Sequence, residues 1–316
     1  MIQKGVLVPF DFEPKAEAAL EYACALAPMY HCGIRLLYVI ESGDFISELF
    51  RSEEDTARMK QRVLARLEET ASMVRRNYGL EVSLHVEKGE PYQVILSLAK
   101  EWHSCAIVMG KEGRTLMSHS ILGSDELRVV GMAPCPVFTV PAPADAIVLR
   151  DTTDTPSQAR FAHLVLPLDL SKHTQQKLKM AIKLARIYGS TIHVVSVLIG
   201  GIQVRESRIF ERMQRASRML DDLGIAHTAQ LYSRPAQPVE EVIFRHARDV
   251  RGDLIVMMTH QEATTSDNYI GAVAQRVIQG AEIPVLSMTS SATQGAGFMG
   301  VEFVDPFAMF KKHHIH

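Results

Sequence analysis

The chain has 316 residues, 47% apolar and 22% charged, with 34 Lys and Arg against 36 Asp and Glu for a formal charge of -2. That balance is ordinary for a globular protein and supplies no global field that would recruit nucleic acid or an anionic membrane surface. At roughly 100–200 residues per domain, the length points to two domains, each able to bury its own core.

The first residues, Met1-Ile2-Gln3-Lys4-Gly5-Val6-Leu7-Val8-Pro9, lack the apolar core and cleavage site of a signal peptide. No apolar run approaches the roughly 20 residues of a membrane span, so a cytoplasmic location is expected. Cys24, Cys32, Cys105 and Cys135 are widely spaced with no CxxC pair, and are expected as reduced, buried thiols.

In chain order, short β-branched runs at 5–9, 34–40, 81–87, 106–109 and 137–140 alternate with helical patterns at 14–30, 53–78, 92–101 and 125–130. Pro14 suits the first turn of its helix, where the missing N–H costs nothing. The pattern then repeats. Val6-Leu7-Val8-Pro9-Phe10-Asp11 recurs as Leu164-Val165-Leu166-Pro167-Leu168-Asp169, and Ile34–Val39 recurs as Ile192–Val197, both at an offset of 158. Pro136-Val137 and Gly123 recur as Pro284-Val285 and Gly271 at an offset of 148, so copy two has lost about ten residues. Its strands are predicted at 164–168, 191–198, 226–232, 254–258 and 285–288.

Strands buried on both faces and joined by helices require a parallel sheet with right-handed crossovers. The expected fold is therefore α/β: two tandem doubly wound domains, each a five-stranded parallel sheet with helices on both faces. The expected division is 1–142, a linker at 143–160, 161–290 and a tail at 291–316. The linker is rich in Pro, Ala, Asp and Thr.

In open α/β sheets, ligands bind beyond the carboxyl ends of the strands. After the fourth strand comes Gly110-Lys111-Glu112-Gly113, then nine residues, then Gly123-Ser124 opening a helix. Glycines let a backbone approach a phosphate closely and turn its N–H groups into an anion nest. A helix amino terminus with a small hydroxyl adds to that attraction. The segment is a candidate triphosphate loop. Lys111 and Arg114 either neutralise phosphate there or are solvated loop charges.

With its flanks, the loop resembles the universal stress protein family. The resemblance rests on Val8-Pro9-Phe10-Asp11, Leu36-Leu37-Tyr38-Val39, Gly89-Glu90-Pro91, Val108-Met109-Gly110, the glycine motif and Ala133-Pro134-Cys135-Pro136-Val137. It covers both copies, as in a tandem member. Members with this motif bind ATP. The resemblance implies that Gly110, Gly113, Gly123 and Ser124 hold ribose and phosphates of ATP, with or without Mg, and that Asp11 and Val39 line the adenine side. It also implies that the copies pair through their last strands, 137–140 against 285–288. Further association into a homodimer stays open.

Copy one departs from the family where Glu13-Pro14 opens the helix, and Glu13 reads as favourable first-turn charge. Copy two departs further. Thr259-His260-Gln261-Glu262 replaces the first glycines, with Thr259 read at the place of Gly110, and Ala272 replaces Ser124. Copy two is therefore expected not to bind ATP in the family manner. Asp169 survives, but a strand-end Asp equally caps a helix.

No P-loop, nucleophile elbow or HExxH motif is present. No catalytic residue is assigned, and hydrolysis of ATP is expected to be slow or absent. His313, His314 and His316 are candidate zinc or nickel ligands, with a frayed tail of incidental histidines the favoured reading. Trp102 and Tyr92 read as packing residues. The leading expectation is a nucleotide-binding regulatory module of the stress response, with an unidentified protein partner. The alternatives are an interaction scaffold that uses copy two and the tail, or a slow ATP-hydrolysing or nucleotidyl-transfer enzyme.

Overall fold

The computed structural model describes residues 4–41, 53–111, 124–142, 161–169, 174–199, 207–233, 235–259 and 270–289, with the backbone alone at 53–56 and 124. The expected linker and the tail with its three histidines lie outside the described residues. Copy one runs β1 (Gly5–Pro9), α1 (Pro14–Tyr30), β2 (Gly33–Glu41), α2 (Glu53–Tyr78), β3 (Val82–Gly89), α3 (Pro91–Glu101), β4 (Ala106–Lys111), α4 (Ser124–Met132) and β5 (Val137–Pro141). Copy two runs β6 (His163–Pro167), α5 (Thr174–Tyr188), β7 (Thr191–Leu198), α6 (Arg208–Asp222), β8 (His227–Ser233), α7 (Val239–Asp249), β9 (Leu254–Met258), α8 (Ala272–Gly280) and β10 (Val285–Met288).

All ten strands form one sheet in the order β3-β2-β1-β4-β5-β10-β9-β6-β7-β8. Pairing is parallel within each copy. Where the copies meet, β5 and β10 run antiparallel, with Val285 opposite Thr139 and Ser287 opposite Val137. That junction covers two edges that would otherwise expose unpaired backbone groups. β4 extends two residues beyond the expected Met109, because Gly110 and Lys111 still pair with Val140 and Pro141 of β5.

Alternation along the strands divides the core. Val6, Val8, Ala106 and Val108 face a layer holding α1, α2, α5 and α6. Leu7, Ile107, Met109 and Val137 face the layer of α3, α4, α7 and α8. Each sheet face is thus covered along its length, as a parallel sheet requires.

α1 departs from the usual one-sided helix. Its Ala-rich sequence buries Ala16, Ala19, Leu20, Ala23, Leu26, Ala27 and Met29, because the sheet lies on one side and the other copy on another. Phe161 is fully buried there, edge-on to Tyr22 at 5.9 Å and 4.6 Å from the Tyr188 ring. The Tyr188 hydroxyl donates to the Ala25 carbonyl at 2.9 Å. α1 ends at His31 in the left-handed region, whose N–H caps the last turn. Among the described residues no helix is long and apolar enough to cross a membrane. All four cysteines are buried and free.

Candidate functional site

A cleft of about 620 Å³ opens at the carboxyl ends of β1, β2 and β4. That end is where an open α/β sheet with this strand order receives a ligand. Three residues singled out from sequence meet on its wall: Asp11, Val39 and Gly110. Gly113 and Gly123 lie outside the described residues. Of Ser124 the structure gives only that its backbone opens α4.

Asp11 is presented by a constrained turn. Phe12, which follows it, has φ of 68°, a conformation uncommon for a bulky side chain and found where a local shape is enforced. Neighbouring contacts hold it there. The Phe12 ring lies 5.2 Å from Phe10 and 5.6 Å from Tyr38, and the Arg66 guanidinium sits 4.0 Å above it. The turn lets Asp11 Oδ1 accept the Glu13 N–H at 3.0 Å. Oδ2 faces the Lys15 ammonium at 3.8 Å, and the Asp11 side chain stays 50% exposed.

Gly110 answers first to the fold. A Cβ there would lie 2.3 Å from the carbonyl oxygen of Lys15. The first turn of α1 therefore crosses β4 so closely that no other residue fits. The bare backbone needed at the cleft follows from that crossing.

Sequence reasoning missed other parts of the wall. Tyr38, Met59, Pro91, Tyr92, Ile95, Asp125 and Glu126 also line the cleft. Tyr92, read as packing, does pack on the apolar layer of α3 and α4 and also lines the cleft, with the Arg128 guanidinium 4.7 Å from its ring. Its position two residues after Gly89-Glu90, at the start of a helix on the ligand side of the sheet, was the available signal. Trp102 does pack, 4.2 Å from His85 and 4.9 Å from the Arg35 guanidinium.

Lys111 does not face phosphate. It is 2% exposed, and its ammonium donates to the carbonyls of Ile278 at 2.7 Å and Ala281 at 2.6 Å in copy two. The reading that it neutralises ligand charge is therefore corrected, as is the reading that it is a solvated loop charge.

The strand register also corrects the comparison of the copies. Ile107 pairs with Val137 as Ile255 pairs with Val285. Gly110 therefore corresponds to Met258, and Thr259 corresponds to Lys111, one residue from the alignment expected. Met258 is buried, 4% exposed, where copy one has no side chain.

The retained Asp169 has a different role from Asp11. Lys177, in the place of the buried Ala19 of copy one, is itself buried and ion-paired to Asp169 Oδ1 at 3.1 Å. Its ammonium also donates to the Pro167 carbonyl at 2.8 Å. Burial pulls the Lys177 amine below its ordinary range, with the Asp169 carboxylate pulling the other way. Thr174 Oγ1 donates to Asp169 at 3.1 and 3.2 Å, and Arg212 Nη1 donates to the Asp169 carbonyl at 3.0 Å. The carboxylate that faces a cleft in copy one is, in copy two, ion-paired to a buried lysine, with its side chain 34% exposed.

The opposite, amino-terminal edge of the strands differs as well. Copy one has Gly5, Arg35 and Cys105 where copy two has His163, His193 and Asp253. His163 Nδ1 lies 3.1 Å from His193 Nε2, and His193 Nδ1 lies 2.8 Å from Thr228 Oγ1. Asp253 Oδ2 accepts the N–H groups of Ala162 and His163 at 2.7 and 3.1 Å. Burial pushes the Asp253 carboxyl up to about 6 despite those bonds. Burial, helped by His163 and His246, pulls His193 down to about 4. Among the described residues no group of three or more His, Cys, Asp or Glu is placed to hold a metal ion.

Comparison with known proteins accords with this architecture. A universal stress protein of Methanocaldococcus jannaschii is 26% identical over 153 residues, covering 45% of this chain and 84% of its own. The crystal structure of a universal stress protein from Archaeoglobus fulgidus DSM 4304 covers 90% of this chain and 98% of its own at a TM-score of 0.71 and 17% identity. Another from Archaeoglobus fulgidus, solved in complex with dAMP, covers 40% of this chain and 98% of its own at a TM-score of 0.33 and 22% identity. The universal stress protein family matches residues 3–141 and again 160–287; with both copies matched, the chain belongs to that family as a tandem member.

Proposed function

We propose that copy one binds ATP in the cleft at the ends of β1, β2 and β4, and that the protein acts as a cytoplasmic nucleotide-dependent regulatory module of the stress response. The observation that carries this reading is the convergence of Asp11, Val39 and Gly110 on one cleft of about 620 Å³, a volume suited to a nucleotide-sized ligand. In this reading Val39 and Tyr38 border the base, and Asp11 fixes its orientation. Gly110, Gly113, Gly123 and Ser124 serve ribose and phosphates, helped by the amino-terminal end of α4. Copy two serves as pairing partner and recognition surface.

Asp11, Glu41, Asp125 and Glu126 line the cleft alongside Lys15, so ATP is to be tested with and without Mg. The experiment is thermal unfolding of the full chain with ATP, and with dAMP as a second probe. Stabilisation that disappears in Gly113→Asp is expected. No shift at millimolar nucleotide would overturn the reading.

A further inference from the structure

Lys111 occupies a place that packing does not explain. Moving an ammonium out of water is costly, and an apolar side chain of similar length would fill a core at least as well. Lys111 is nevertheless 2% exposed, and its ammonium reaches into the other copy. Nζ donates to the carbonyls of Ile278 at 2.7 Å, Gln279 at 3.4 Å and Ala281 at 2.6 Å. These lie at the carboxyl end of α8, where carbonyls lack helical partners and the helix dipole is negative. A cation there satisfies both needs.

The contact exists because β5 and β10 are antiparallel, which brings the exit of β4 beside the carboxyl end of α8. It is not mirrored. Thr259, the register equivalent of Lys111, donates from Oγ1 to Met288 within its own copy at 3.3 Å. The other corner of the junction is tied by Thr289, whose Oγ1 donates to the Ala133 carbonyl at 3.0 Å. Among the described residues a buried charge therefore anchors the corner at Lys111, which directly follows Gly110 of the cleft wall.

We infer that Lys111 is a positioning residue for the copy-one cleft: by docking on α8 of copy two it fixes the backbone at Gly110, so that nucleotide affinity in copy one depends on copy two. This rests on the ligand reading above and deepens it. Copy two is then part of the machinery of the site without binding nucleotide itself.

The test uses the full chain with ATP as probe, titrated calorimetrically into wild type, Lys111→Met and Lys111→Arg. Circular dichroism and thermal unfolding monitor the fold of each. Lys111→Met is expected to bind ATP about tenfold more weakly, within the usual range of site coupling. Lys111→Arg, which keeps a cation and donors, is expected to recover most of that loss. Equal affinity in Lys111→Met and wild type would overturn the inference and leave the lysine a purely structural tie.

Hydrogen exchange on the wild type supplies a second measurement that needs no variant. ATP is expected to slow exchange at residues 276–285 of copy two together with 106–110 of copy one. Slowing confined to copy one would overturn the inference. Absence of ATP binding by the wild type would instead remove the ligand reading itself.

Discussion

The two copies carry the same strand-end aspartate in opposite circumstances. Asp11 projects into a cleft from a turn bent through Phe12, with its side chain half exposed and Lys15 at 3.8 Å. Asp169 is held by Lys177, Thr174 and Arg212. Two buried substitutions on the first helix, threonine for Ala16 and lysine for Ala19, supply side-chain partners for Asp169 that Asp11 lacks. In duplicated folds a retained motif residue is thus poor evidence for a retained site, and its contacts decide its use.

The largest effect expected from breaking this comparison lies at Gly110. Gly110→Val would drive a branched side chain into the Lys15 carbonyl. It should destabilise the chain by about 3 kcal/mol, roughly a 5 °C fall in melting temperature by calorimetry. A near-neutral result would show that α1 does not cross β4 so closely.

The two aspartates give the next contrast. Asp169→Ala strands the buried Lys177 amine and should cost about 3 kcal/mol in urea denaturation. Asp11→Ala removes an exposed ion pair and should cost under about 1 kcal/mol while weakening ATP binding. Equal costs would erase the structural distinction between the copies.

A smaller effect concerns the base of copy two. Because the folded pKa of Asp253 is raised to about 6, its contribution to stability is fully present below the unfolded value and is lost as pH rises through about 6. His193, lowered to about 4, acts in the opposite sense: its contribution is present above pH ~6.5 and is lost as pH falls through about 4. The two partly cancel in the wild type. Asp253→Asn keeps an acceptor for the Ala162 and His163 N–H groups and removes one side of the balance. Its melting temperature relative to wild type should therefore rise between pH 4 and pH 7. A difference independent of pH would contradict the assignment.

Much of the fold was legible because its signals are local. The β-branched runs at Val6–Val8 and Leu164–Leu166 and the fixed offsets between copies gave the elements and the duplication, while the pairing of last strands came from the family resemblance. What stayed hidden depends on three-dimensional register. The loss of glycines after β9 removed the landmark that would align Thr259, and the strand register settles that the offset of 148 holds there, making Met258 the equivalent of Gly110. The direction of Lys111 depends on α8, which is more than 160 residues away in sequence. Tyr92 reads as a packing aromatic, which it is, and the sheet order adds that it also lines the cleft. Lys177 was within reach, since comparing the copies at an offset of 158 exposes a lysine where copy one has Ala19 among apolar neighbours. Part of the glycine motif, Gly113 and Gly123, has its support from sequence alone.

The central claim is that one copy binds nucleotide and the other supports it. Calorimetric titration of ATP into the full chain tests this most directly. One site per chain is predicted, abolished by Gly113→Asp and unaffected in stoichiometry by Lys177→Met. Two sites per chain, or a single site that survives Gly113→Asp, would contradict it.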